Sequence, residues 1–170
     1  MTLLRIAVIA ALAAASLPAQ KVTMEFDESI DFSNYKTFQW QKSRNRSKNP
    51  ALSNELIDKK IRNAITARLN AKGLREAPEG KPDLFVSYDL GSGTKTETEI
   101  APSGPRGRGT RRVRVRYTEG TLIIDLRDAS NKNLVWRAVS VDTAADPNKL
   151  GEHLDKDVRK AFDKYPPKKK

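Results

Sequence analysis

The chain offers few side chains that could catalyse a reaction or bind a metal. It contains one histidine, His153, and no cysteine. A histidine base needs a nucleophile placed against it, and no nucleophile motif accompanies His153. The absence of cysteine excludes disulfides, thiolate metal sites and cysteine nucleophiles, and a single histidine is too few for a zinc site. We therefore interpret His153 as a boundary or surface residue of a helix.

Carboxylates cluster at two places in the chain. They are Asp27, Glu28 and Asp31 near the N-terminus, and Asp155 and Asp157 near the C-terminus. Such groups bind Ca²⁺ or act as acid and base. The first cluster lacks the regular spacing of a calcium loop, so we interpret both as turn and helix-face residues. Gly91-Ser92-Gly93 is not a dinucleotide loop, because no helix follows it. The sequence thus predicts no catalytic, cofactor-binding or metal-binding residue, and a protein that is not an enzyme.

Basic residues give the strongest local signal. Six arginines lie close together in the second half of the chain: Arg106, Arg108, Arg111, Arg112, Arg114 and Arg116. A guanidinium group can hold a phosphate or carboxylate with two hydrogen bonds. The segment is therefore a candidate anion-binding site. The alternative is a solvated face that keeps an exposed hairpin from aggregating.

The same segment predicts which way the arginines point. Val113, Val115 and Tyr117 alternate with Arg112, Arg114 and Arg116, as in a half-buried strand. We expect the apolar residues to face the core and the arginines to lie on the sheet face opposite the helices. The preceding stretch, residues 104–109, resembles the Arg-Gly segments that bind RNA in disordered tails.

The first twenty residues have the layout of a secretory signal peptide. Arg5 precedes an uncharged apolar run from Ile6 to Leu17, and Leu17-Pro18-Ala19 is typical of a cleavage site. The run is shorter than the roughly 20 residues of a membrane span. We expect cleavage after Ala19 and a periplasmic or otherwise exported domain with no transmembrane helix. A buried N-terminal helix is the alternative.

Apolar periodicity predicts the elements that carry these residues. The expected strands are Lys21 to Phe26, Tyr35 to Trp40, Asp83 to Leu90, Arg111 to Tyr117, Leu122 to Leu126 and Leu134 to Thr143, with a break at Glu119-Gly120. The expected helices run from Asn54 to Lys72, capped by Ser53, and from Pro147 to Lys164, capped by Asp146. The order ββαββββα predicts an α+β fold, an antiparallel β-sheet with two helices packed on one face.

The expected domain organisation is simple. Residues 1–19 form the signal peptide, residues 20–165 form a single α+β domain, and residues 166–170 form a basic tail. A chain of this length is suited to one domain with a core of its own. Glycine and proline enrichment predicts that residues from about 91 to 110 form a flexible arm.

Five stretches carry a family resemblance across nearly the whole chain after residue 20. They are DFSNYKTFQW at 31–40, KGL at 72–74, PDLFVSY at 82–88, EGTLIIDL at 119–126 and LVWR at 134–137. The chain resembles the family known as domain of unknown function 4136, mostly small bacterial envelope proteins, many of them lipoproteins. The resemblance implies an envelope location and an α+β domain, and it implies no activity. The lipoprotein members carry a cysteine at the cleavage site, and this chain has no such lipobox cysteine.

Charge and location together indicate a function. The net charge is +11, which favours anionic partners. We expect a non-enzymatic, exported cell-envelope protein without a cofactor that binds or scaffolds at an anionic surface. The expected partners are anionic lipid, lipopolysaccharide, an acidic wall polymer or an envelope protein, while export argues against nucleic acid. Two alternatives stay open: a nucleic-acid-binding protein that uses the Arg-rich arm, and an unrecognised envelope hydrolase.

Overall fold

The computed structural model describes residues 21–77, 79–103 and 109–167. The predicted signal peptide lies outside the described residues, as do Arg106, Arg108 and the last three residues of the basic tail. The strands are β1 Lys21–Phe26, β2 Thr37–Trp40, β3 Arg44–Asn45, β4 Arg75–Glu76, β5 Leu84–Ser103, β6 Gly109–Asp128 and β7 Leu134–Ala144. The helices are α1 Glu55–Ala71 and α2 Pro147–Phe162, with a short 3-10 helix at Phe32–Asn34.

The strands form one mixed sheet in the order β1-β7-β6-β5-β2-β4, with β3 also paired to β5. The strands β1, β7, β6 and β5 are antiparallel, as predicted. The prediction of a wholly antiparallel sheet is wrong for β2, β3 and β4, which pair in parallel. The reason is α1: a helical crossover returns the chain to the end of the sheet where β2 began, so β5 runs in the same direction as β2.

The two helices begin at polar caps and place their apolar residues in one core. The α1 cap is Asn54 rather than Ser53, because the Asn54 side chain accepts a hydrogen bond from the Ile57 amide at 3.1 Å. The α2 cap is Asp146, with Pro147 at the first helical position, as predicted. Neither helix that the structure describes is long and apolar enough to cross a bilayer.

The core lies between the helices and the even-numbered residues of the central strands. Leu84, Val86, Tyr88 and Leu90 of β5, and Leu122, Ile124 and Leu126 of β6, are all buried. At its centre Trp136 of β7 is fully buried, with its ring 5.1 Å from Phe162 and 5.6 Å from Tyr165. Trp40 is only partly buried, and the Arg62 guanidinium lies 4.7 Å from its ring. Large apolar residues on strands predict that both tryptophans fill the core between sheet and helices. This holds for Trp136, whereas Trp40 lies at the margin of the core.

The prediction of separate fourth and fifth strands is wrong. Residues 109 to 128 form one continuous strand, and Gly120 lies in its middle, buried against α2. A Cβ atom at Gly120 would lie 3.3 Å from Cδ1 of Leu150. The glycine therefore marks a close approach between the sheet and α2 rather than a turn.

Candidate anion-binding arm

The hairpin of β5 and β6 extends beyond the rest of the sheet. Pairing of β7 with β6 ends at Thr118 opposite Ala144, and pairing of β3 with β5 ends at Leu90 opposite Asn45. Past these points β5 and β6 pair only with each other among the described strands. We call residues 91–103 and 109–117 the arm. At about 3.3 Å per residue, the β6 side of the arm is roughly 30 Å long.

The arm carries its arginines on the same face as the helices, which corrects the sequence-based prediction. The core residues Leu122 and Ile124 of β6 are even-numbered, and so are the arginines Arg112, Arg114 and Arg116. The strands β5 and β6 pair without a register shift over this length. Because alternation continues unbroken from the core into the arm, the arginines must share the core face. The predicted break at Glu119-Gly120 hid this continuity.

Val113, Val115 and Tyr117 lie on the other face of the sheet, where they are half-buried. The hydroxyl of Tyr117 donates a hydrogen bond to Glu97 on β5. This bond and burial raise the pKa of Tyr117 to about 12, so its proton stays in place. The bond also occupies Glu97, the carboxylate directly across from Val115.

The core-face arginines stand in a row, which we call the arginine stripe: Arg112, Arg114 and Arg116. They lie opposite Ile100, Thr98 and Thr96, respectively, so no acidic residue is paired with them across the hairpin. All three are exposed, as is Arg111 on the other face. None of these four arginines forms a salt bridge within the described part of the chain, whereas Lys95 contacts Glu119 at 3.5 Å. Successive arginines of the stripe are about 7 Å apart along the strand, measured at the backbone. The stripe is thus an uncompensated row of donors.

His153 takes part in a second polar cluster, where α2 meets β7. Its Nδ1 lies 2.6 Å from Oδ2 of Asp142, and the His153 side chain is 41% exposed. The boundary position predicted for His153 is therefore confirmed. The sequence did not identify its partner. The signal was available, because Asp142 continues the inward-facing series Trp136, Ala138 and Ser140 of β7.

Asp157 belongs to the same cluster and is more buried than predicted for a helix-face residue. It is 4% exposed, and its Oδ1 has no hydrogen-bond partner within the described residues. Burial, followed by the charge of Asp142, raises the pKa of Asp157 to about 7. The adjoining cavity measures about 10 Å³, which suits one water molecule and excludes a substrate.

The other acidic residues singled out from the sequence lie where turn and surface residues are expected. Asp27 accepts hydrogen bonds from the amide and hydroxyl of Ser29, and Asp31 caps the 3-10 helix through Ser33. Asp155 is exposed on α2, 3.7 Å from Arg68. Gly91-Ser92-Gly93 lies within β5. In the described ranges no three acidic or histidine side chains are grouped to hold a metal ion.

Several solved bacterial proteins resemble this fold. A PDZ domain protein from Parabacteroides distasonis matches 89% of the chain with a TM-score of 0.59 and 18% identity, and the chain spans 36% of that protein. A neuraminyllactose-binding hemagglutinin homologue from Helicobacter pylori matches 80% of the chain and 88% of its own length, with a TM-score of 0.54 and 10% identity. PelC from Paraburkholderia phytofirmans, solved as a dodecamer, matches 85% of the chain and 95% of its own length, with a TM-score of 0.51 and 15% identity. At these identities the likeness concerns the fold alone.

The family assignment comes from the sequence. No curated protein matches the chain. The family model described as a domain of unknown function, DUF4136, matches residues 22–167. This match begins at the second residue of β1 and continues through the other described strands and both helices to the residues that follow α2. It confirms the resemblance seen in the five sequence stretches, and the chain belongs to the DUF4136 family.

Proposed function

We propose that this chain is a non-enzymatic, exported envelope protein that binds an anionic surface through the arginine stripe. The observation that carries the proposal is the row of three exposed arginines with no described carboxylate partner, on an arm that projects from the core. Arginine is suited to phosphate because its planar group forms two parallel hydrogen bonds. The net charge of +11 adds a long-range attraction.

The threonines beside the stripe support the same ligand. Thr96 and Thr98 lie directly opposite Arg116 and Arg114 on the same face of the arm. Their hydroxyls are additional hydrogen-bond donors for phosphate oxygens. The arrangement favours repeated phosphate groups, such as those of anionic lipid headgroups or lipopolysaccharide, over a single small ligand, because it is long and open.

The export part of the proposal rests on the N-terminal sequence. The apolar run from Ile6 to Leu17 and the Leu17-Pro18-Ala19 site support passage across a membrane. In an envelope, an anionic surface is the abundant partner for a basic arm. The nucleic-acid alternative would use the same stripe and is an outcome of the test below.

Vesicle co-sedimentation tests the proposal. Arg112→Ala, Arg114→Ala and Arg116→Ala together should remove most binding to phosphatidylglycerol vesicles at 0.1 M salt. Raising the salt to 1 M should weaken wild-type binding, because the screening length falls from about 10 Å to about 3 Å. Vesicles that contain lipopolysaccharide, a soluble acidic polymer and duplex DNA are run in parallel to identify the source of the anionic groups.

A matched variant controls for net charge. Lys72, Arg75 and Lys81 are exposed basic residues near the opposite end of β5. Their combined replacement by alanine removes the same charge and should leave most vesicle binding in place. Equal loss in the two triple variants would mean that overall charge, rather than the stripe, causes the binding. Preference for DNA over every envelope surface would favour the nucleic-acid alternative.

A further inference from the structure

The arm has two long strand edges that no other described strand covers. On one side β5 is unpaired beyond Leu90, and on the other β6 is unpaired before Thr118. Exposed strand edges present free backbone donors and acceptors and readily pair with another strand. An isolated two-stranded ribbon is also only marginally stable in water. The arm is therefore a surface on which a further strand can add.

Backbone hydrogen bonds show which residues of β5 face its free edge. The carbonyls of Val86 and Leu90 accept from the amides of Gln41 and Arg46, on the β2 and β3 side of the strand. Because β5 and β6 pair without a register shift, the N–H and C=O groups of the even-numbered residues 92–100 also point away from β6, towards the free edge. Pro102, the next even-numbered residue, has no N–H group to donate. The Ser47 hydroxyl lies 2.6 Å from that of Ser92, so the chain after β3 still covers this edge at residue 92. The usable edge thus starts beyond Ser92 and stops before Pro102.

The centre of this edge is Thr96, and the charged residues on either side of it are complementary to those of a second copy. In an antiparallel pairing of two copies centred on Thr96, Lys95 of each copy lies opposite Glu97 of the other. The same register places Thr94 opposite Thr98 and Glu99 opposite Gly93, so no like charges lie directly opposite each other. Opposite charges across a strand pair are stabilising, and like charges are destabilising.

The β6 edge does not allow the same arrangement. Arg112, Arg114 and Arg116 occupy alternate positions along it. If two copies paired antiparallel about any residue of this stripe, an arginine of one copy would lie opposite an arginine of the other or beside one. Charged edge residues of this kind prevent strand addition. The charges therefore distinguish an edge suited to a second copy from an edge protected against one.

We propose that two copies of this chain associate through β5, edge to edge and antiparallel, about Thr96. Three even-numbered pairs from residue 94 to residue 98 would supply about six backbone hydrogen bonds, and the partner strand diverges before it reaches Ser92, which Ser47 covers. The result is a four-stranded ribbon with two-fold symmetry and β6 on both outer sides. Directly opposite residues share a face, so the arginine stripes of both copies lie on one side of the ribbon. This inference does not depend on what the stripe binds.

Charge reversal at the paired positions tests the register. Lys95→Glu places two carboxylates opposite each other at both symmetry-related pairs of the dimer, and Glu97→Lys places two lysines opposite each other at the same pairs. Each single variant should self-associate at least about tenfold more weakly than wild type in sedimentation equilibrium. An equimolar mixture of the two variants should form a heterodimer, because every pair across the interface is then opposite in charge.

The mixture also separates pairing from damage to the arm. Lys95 contacts Glu119 and Glu97 accepts from Tyr117 within one chain, and mixing two variants restores neither contact. Recovery of a dimer in the mixture therefore reports the interface itself. The control Arg114→Glu reverses a charge on the protected edge and should leave self-association unchanged. The experiment uses the full chain, as processed by the producing cell, without lipid.

A proline substitution tests the backbone pairing independently of charge. Thr96→Pro removes an N–H group that faces the free edge and leaves the hydrogen bonds to β6 in place, so it should yield a folded monomer. A wild-type protein that is monomeric at about 100 μM would overturn the proposal. A variant mixture that stays monomeric, or single variants that dimerise as wild type does, would also overturn it.

Discussion

Folding places the carboxyl group of Asp157 where its charged form is unfavourable. It is buried, and the charged groups that influence it are Asp142 on β7 and His153, Lys156 and Lys160 on α2. Its pKa is raised from an ordinary value of 3.8 to about 7. A group whose pKa is raised by folding binds its proton more tightly in the native state. Its contribution to stability is therefore present below about pH 4 and is lost as the pH rises towards 7.

Replacing Asp157 by asparagine should reveal this loss. Asparagine is neutral at every pH and resembles the protonated carboxyl group in shape. Asp157→Asn should raise the melting temperature relative to wild type at pH 8, and the difference should shrink by pH 4.5. Thermal unfolding of both proteins at the two pH values measures the effect.

A neighbouring residue provides the control for this pH dependence. Asp155 is on the same helix with its side chain 59% exposed. Asp155→Asn should change the melting temperature little at either pH, because exposed substitutions usually have small effects. An advantage of Asp157→Asn that is equal at both pH values, or larger at low pH, would contradict the assignment of a raised pKa.

Gly120 shows how one residue determines the packing of a strand against a helix. The strand β6 passes so close to α2 that a Cβ atom at Gly120 would lie 3.3 Å from Leu150. Gly120→Val should therefore force a displacement of Leu150 and lower the free energy of unfolding by about 1–3 kcal/mol. Chemical denaturation of wild type and variant measures this difference.

Gly91 is the matched control, because it lies in the adjacent strand opposite Thr121. A Cβ atom there would have no heavy atom within 4 Å. Gly91→Val should leave the free energy of unfolding unchanged or raise it slightly, since a β-branched residue suits a strand. Equal destabilisation by the two substitutions would show that the approach of Leu150 is not the cause.

Elements with a regular apolar pattern were predictable from the sequence. The strand Lys21–Phe26 alternates apolar and polar residues, and the α2 cap combines Asp146 with Pro147, so both were predicted correctly. The continuity of β6 through Glu119-Gly120 was not predictable, because glycine in a strand has the same local signature as glycine in a turn. Only its contact with Leu150, distant in sequence, identifies its role.

The orientation of the arginine stripe depends on that same continuity. Alternation predicts that valines and arginines occupy opposite faces of β6, and the structure agrees. Which of the two faces carries the helices is known only by following the alternation of side chains along the strand from Leu122 in the core, through Gly120, into the arm. A local pattern of apolar residues on the arm favoured Val113 and Val115 as core residues, and the connection to the core overrode that preference.

The whole molecule combines a compact α+β body with a projecting basic arm. The body contains the clustered core and both helices, and the arm contains unpaired edges and uncompensated arginines. The helices and the stripe share one side of the sheet, so an anionic surface that meets the stripe would approach the arm from the helix side. This orientation is the central claim of the proposed function.

Labelling two adjacent arm residues tests that claim most directly. Thr98 lies on the stripe face opposite Arg114, and Glu97 points to the other face. Because the chain has no cysteine, Thr98→Cys and Glu97→Cys each allow one small fluorophore to be attached. The measurement is fluorescence quenching by phosphatidylglycerol vesicles that carry a quencher on some headgroups. We expect strong quenching of the label at position 98 and weak quenching at position 97, and equal or reversed quenching would contradict binding through the stripe face.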